Sequence, residues 1–127
     1  MAGEDDEHAA LGEALTVERA RTAERVTGLE RTLESVVDSA ELAPPDDEHD
    51  PEGSTVGFER AQIAKLLEND RAHLVELDRA IERLRGGVYG TCVECGQDIA
   101  VERLVILPAA RTCTGCAFGA QSPLRRR

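Results

Sequence analysis

Residues 92–116 read CVECGQDIAVERLVILPAARTCTGC, and the cysteines at the two ends of this run decide the fold. Cys92 and Cys95 form one C-x2-C pair; Cys113 and Cys116 form a second. That spacing lets two thiolates of one tight turn point at a single ion. Two such turns supply the four sulfurs of a closed tetrahedral zinc site. Gly96 directly follows the first pair and Gly115 lies inside the second, where the backbone needs room. With no fifth protein ligand, the expected cofactor is one structural Zn2+. A dithiol–disulfide switch at each pair is the competing reading. A thioredoxin-like site, however, needs a βαβ context, and the chain shows no strand pattern. Metal loss on oxidation, as a secondary sensing function, stays open.

Working back from the cysteines, Gly86, Gly87 and Gly90 end a helix and free the backbone for a knuckle. The pattern before them predicts a helix over residues 58–85. Ile63, Leu67, Leu74, Leu77, Ile81, Leu84 and Val88 alternate in steps of four and three, broken only at Asp70. A seven-residue repeat of this kind indicates coiled-coil packing. Residues 43–57, APPDDEHDPEGSTVG, hold three prolines, two glycines and five carboxylates, and read as a loop. Residues 11–42 carry a second stripe through Leu15, Thr22, Val26, Leu29, Leu33, Val36 and Ala40, with a gap at Arg19. Two helices joined by a short loop fold back on each other, each arm about 40–50 Å long.

The expected fold is therefore mainly α: a long antiparallel coiled-coil hairpin with a small C-terminal four-cysteine zinc finger. Residues 1–10 read as a flexible acidic start. The hairpin takes residues 11–87 with its tip loop at 43–57, the finger takes 88–119, and 120–127 form a short basic tail. His8, His49 and His73 read as solvated surface residues.

Composition limits the function. The 127-residue chain has one Tyr, two Phe and no Trp, too few aromatics for a large core. Its formal net charge of −10 disfavours generic nucleic-acid binding, and no sequence-specific DNA contact is expected. No segment has the roughly 18–20 apolar residues that span a bilayer. The acidic N-terminus lacks the features of a secretory signal, so a cytoplasmic location is expected, with no membrane partner. There is no phosphate loop, nucleotide fingerprint or Ser-His-Asp set, and an enzyme is not expected.

The run from Gly87 to Cys116 resembles the signature of the DksA/TraR zinc-finger proteins. Tyr89-Gly90 before the first pair, Gly96 after it, Ile99, Arg103-Leu104, Pro108 and the second pair carry the likeness. The resemblance implies a regulator that binds RNA polymerase rather than DNA. It would insert its coiled coil into the secondary channel and act on transcription initiation, often together with the alarmone ppGpp. The family's tip carries two aspartates three apart, matched here by Asp47 and Asp50, and then an alanine, whose place Glu52 takes.

Independently of any family, Asp46, Asp47, Glu48, Asp50 and Glu52 crowd five carboxylates together. Their repulsion is tolerable only in water or beside cations, so this partner-binding tip suits a basic channel or the neighbourhood of a metal ion. A zinc- or redox-sensing regulator remains an alternative. So does a zinc-ribbon module that binds another protein or DNA through Arg103, Arg111 and the terminal arginines.

Overall fold

The computed structural model describes residues 2–42 and 51–119, with side chains over 6–39 and 55–119. Four helices follow in order: α1 (Ala2–Leu42), α2 (Pro51–Arg85), α3 (Val101–Ile106) and α4 (Thr114–Gly119). The described residues contain no β-strand, and one isolated antiparallel bridge joins Thr91 to Asp98. None of these helices is long and apolar enough to cross a membrane.

The chain divides into two compact units. The first joins Met1–Ala20 to Val75–Arg127 and holds the finger. Its core is one cluster in which Leu11 and Leu15 of α1 and Leu77 and Ala80 of α2 meet Tyr89, Cys92, Ile99 and Leu104. The helices here run antiparallel. Gly12 packs against Leu84, and seven residues later Arg19 pairs with Asp78. Gly12 brings the helices close, since a Cβ there would sit 3.0 Å from Leu84 Cδ2.

The second unit, Arg21–Leu74, pairs the later half of α1 with the earlier half of α2. Thr22, Ile63 and Leu67 are buried, and Val26, Leu29, Leu33 and Val36 are half-buried. Arg25 reaches Asp70 at 3.4 Å and Arg71 reaches Glu30 at 3.1 Å, so two ion pairs cross between the helices.

The long hairpin thus forms as the stripes require, with differences at its edges. α1 begins at Ala2, inside the segment expected to be flexible. Glu7 and His8 line a cleft against the finger, and Leu11 joins the core, which gives the acidic start something to order against. α2 begins at Pro51 rather than Phe58. Proline is tolerated as the first residue of a helix, where its missing N–H has no partner to lose. Val88 leaves the stripe, because α2 stops at Arg85 and the side chain is 52% exposed. Ala80 takes a fully buried place that a count of large apolar residues overlooks.

Candidate metal centre

The finger starts where α2 is capped. The Gly87 N–H donates to Leu84 O at 3.2 Å, and the Val88 N–H donates to Arg83 O at 2.9 Å. Gly87 has φ +77. This is a Schellman cap, in which a left-handed glycine lets two orphan carbonyls be satisfied. The chain then turns so that the Tyr89 ring enters the core and its hydroxyl donates to Pro108 O at 2.7 Å.

The first knuckle is a short bridged loop. The Ile99 N–H donates to Gly90 O at 2.7 Å, and Cys92 N–H to Gln97 O at 2.8 Å. Gly96, at φ +76, closes the turn by donating to Cys92 O at 2.9 Å. The second knuckle is set by the start of α4. There Ala117 N–H donates to Cys113 O at 2.9 Å, and the Cys116 N–H points at Cys113 Sγ, 3.4 Å away. Two bonds tie this half to the rest of the finger: Val93 N–H to Arg111 O, and Arg103 Nε to Thr112 O, each 2.9 Å. Arg103, which the sequence offered as a phosphate contact under one alternative, braces the second knuckle.

These constraints bring the four sulfurs within 4.8 Å of one another. Cys92 is buried, Cys113 and Cys116 are half-buried and Cys95 is exposed. The set fits zinc. Zn–S bonds of about 2.3 Å in a regular tetrahedron place neighbouring sulfurs about 3.8 Å apart, and Cys95 Sγ lies 3.8 Å from Cys113 Sγ. Burial pushes the Cys92 thiol up. Hydrogen bonds from the backbone of Cys113, Cys95 and Glu94 outweigh it and hold the group at about 6. Cys113 is also lowered, chiefly by the backbone N–H of Cys116. Both knuckles therefore favour the thiolate, the form that ligates metal. The finger's cofactor is one structural zinc ion, and no other group of three or more potential ligands converges among the described residues.

The sequence-predicted tip is a different case. Asp46, Asp47, Glu48 and Asp50 lie outside the described residues, while Glu52 falls in the first turn of α2 with its side chain likewise outside them. Spacing alone did not reveal the bracing contacts of Tyr89 and Arg103, though both stand among the positions that carry the family likeness. Arg83, whose Nη2 donates to Ala109 O at 3.4 Å, carried no sequence signal.

Comparison with known proteins agrees with this geometry. The prokaryotic dksA/traR C4-type zinc finger family matches residues 87–121. General stress protein 16O of Bacillus subtilis (strain 168) is 33% identical over 87 residues, which cover 68% of this chain and 53% of that protein. An uncharacterized protein of Aquifex aeolicus (strain VF5) is 40% identical over 57 residues, covering 42% of this chain and 39% of the relative. The chain thus spans about half or less of the length of these relatives. The structure of transcription factor DksA2 from Pseudomonas aeruginosa superposes with a TM-score of 0.78 at 24% identity, over 95% of this chain and 88% of the other, a likeness of fold. Residues 87–121 therefore form a zinc finger of the dksA/traR C4 type, carried on a helical hairpin whose fold is like that of DksA2.

Proposed function

We propose that the protein is a non-enzymatic regulator of transcription initiation that binds RNA polymerase and works through its secondary channel. The observation that carries this reading is the dksA/traR C4 finger at residues 87–121, whose core is continuous with the base of a long helical hairpin. A protein of like fold is described as a transcription factor. In this reading Cys92, Cys95, Cys113 and Cys116 hold the zinc. The finger of residues 88–119 braces the hairpin of residues 11–87, and the acidic tip at residues 46–52 does the work.

The chemistry is electrostatic. Asp46, Asp47, Glu48, Asp50 and Glu52 form a concentrated negative charge, which gains free energy on entering a basic channel or approaching a cation. A magnesium ion that these carboxylates would approach would belong to the partner, and they would act on it through their charge. The working compartment is the cytoplasm, where the polymerase is.

The experiment is retention of the full chain on purified RNA polymerase, with open-complex lifetime measured on a ribosomal RNA promoter. The wild-type protein is expected to bind and to change the lifetime. An Asp47→Asn, Asp50→Asn double variant should bind and leave the lifetime unaltered. A wild-type protein that neither binds nor changes the lifetime overturns the reading.

A further inference from the structure

The start of α1 and the loop around the first knuckle enclose a cleft of about 480 Å³. Both walls belong to the unit that contains the finger. The floor is apolar: Leu11, Ile99 and Leu104, exposed by 8%, 4% and 3% respectively. The rim is polar and carries Glu7, His8 and Asp98. No lysine or arginine lines the cleft.

The described carboxylates differ in whether a cation faces them. Asp78, Asp70, Glu30, Glu68 and Glu76 each face an arginine or lysine. Glu7 and Asp98 fall with Glu34 and Glu94 among those that make no ion pair among the described residues. A concave surface lined by one sign of charge over low-dielectric walls concentrates the opposite ion. The volume lies within the usual range for small-ligand sites.

The shape of the site selects among cations. A bare divalent ion needs several oxygen or nitrogen ligands converging on one point, and the cysteines are the one described group that converges. An aliphatic stem ending in a charged nitrogen needs less. Its methylenes lie on apolar side chains while the head stays at a wet, negative rim. Glu7 and Asp98 can each accept from an ammonium, which donates three hydrogen bonds.

We propose that this cleft binds a primary alkylammonium, with the aliphatic stem on Leu11, Ile99 and Leu104 and the nitrogen between Glu7 and Asp98. The group has two natural sources, the side chain of a lysine and a free polyamine. The site is distinct from the zinc and from the acidic tip, and it stands whether or not the chain binds polymerase.

The test uses the full, zinc-loaded chain. Amide chemical shifts of Gly90, Thr91 and Asp98 are followed while butylammonium, methylammonium or sodium is added at constant ionic strength. Butylammonium is expected to give saturable shifts confined to the cleft. It should bind about tenfold more tightly than methylammonium, because each fully buried methylene contributes about a fourfold gain and the open cleft buries the stem in part. The Asp98→Asn and Glu7→Gln variants should each weaken it, with zinc content unchanged, while Glu34→Gln on the hairpin should not.

Spermidine and Nα-acetyl-lysine methylamide then identify the source. Tighter binding of spermidine assigns the cleft to a free polyamine, and tighter binding of the blocked lysine assigns it to a lysine side chain. Equal binding of methylammonium and butylammonium, shifts matched by sodium, or shifts that survive both Asp98→Asn and Glu7→Gln overturn the proposal.

Discussion

Arg25 of α1 and Asp70 of α2 face each other with 3.4 Å between Nε and Oδ2, at the place where the apolar stripe of α2 lapses. The same guanidinium donates through Nη2 to the hydroxyl of Thr22, 3.0 Å away, and Thr22 is fully buried. The Asp70 side chain is 21% exposed and that of Arg25 48%, so the pair is only partly shielded from water. Asp70→Ala is expected to destabilise the hairpin by about 1 kcal/mol. Replacing both partners, Arg25→Leu with Asp70→Leu, restores the stripe without stranding a charge and should be neutral or stabilising. Thermal unfolding followed by circular dichroism, in a double-mutant cycle with Arg25→Ala, measures the coupling. A coupling energy near zero would show that the pair contributes nothing.

Tyr89 is the chain's one tyrosine, and there is no tryptophan. Burial raises its phenol above the ordinary value, with Arg83 pulling weakly the other way. Phenolate absorbance therefore reports this residue alone. Its midpoint should lie above the usual value of about 10 in the native protein and return to it on unfolding. Because the folded-state value is the higher one, the associated stability is complete below the unfolded-state value. It is lost as pH rises through the folded-state value. Tyr89→Phe removes the donor to Pro108 O and should cost about 1 kcal/mol. A native titration that coincides with the denatured one contradicts the buried phenol.

Much of this was legible in the residues, and the rest is hidden for a definable reason. Leu15, Ile63, Leu67 and Leu77 are buried where the stripes place them, because helical periodicity is a local signal. The interruptions at Arg19 and Asp70 were visible, but not what they do. Arg19 finds its partner 59 residues away, and no local pattern encodes that. The cysteine spacing announced the ion. The contacts that hold the knuckles, Tyr89 to Pro108 and Arg103 to Thr112, are tertiary and emerge only from the fold. The acidic start reads as solvated because nothing nearby can bury it, yet the finger, distant in sequence, supplies the cleft wall that it lines.

Two glycines should respond to the same substitution with opposite signs. Gly28 lies within α1, and a Cβ built there meets nothing within 4 Å. Gly28→Ala removes the backbone entropy penalty of glycine in a helix and should stabilise by about 0.5–1 kcal/mol. Gly87 also has open space around its Cβ, but its φ of +77 makes alanine costly. Gly87→Ala should destabilise by about 1–2 kcal/mol. Denaturant unfolding of the two variants side by side reads the difference. If both shift the midpoint in the same direction, the cap at the end of α2 is not what the hydrogen bonds describe.

Zinc removal should be felt beyond the finger. Leu11 and Leu15 of α1 share a core with Tyr89, Cys92, Ile99 and Leu104. Those finger residues are held in place by knuckles whose folding free energy is largely metal-binding free energy. Cys113→Ser, or strong chelation, is expected to remove the ion and melt α3 and α4. Amide exchange should accelerate over residues 11–15 and 77–80 because their apolar partners disperse. Residues 21–74 form a separate compact unit with Ile63 and Leu67 buried and ion pairs of their own, and should keep most of their protection. Circular dichroism should accordingly fall in part while hydrogen exchange divides the chain in two. Unchanged exchange at Leu11 and Leu15 in zinc-free protein would mean that the base of the hairpin stands without the finger.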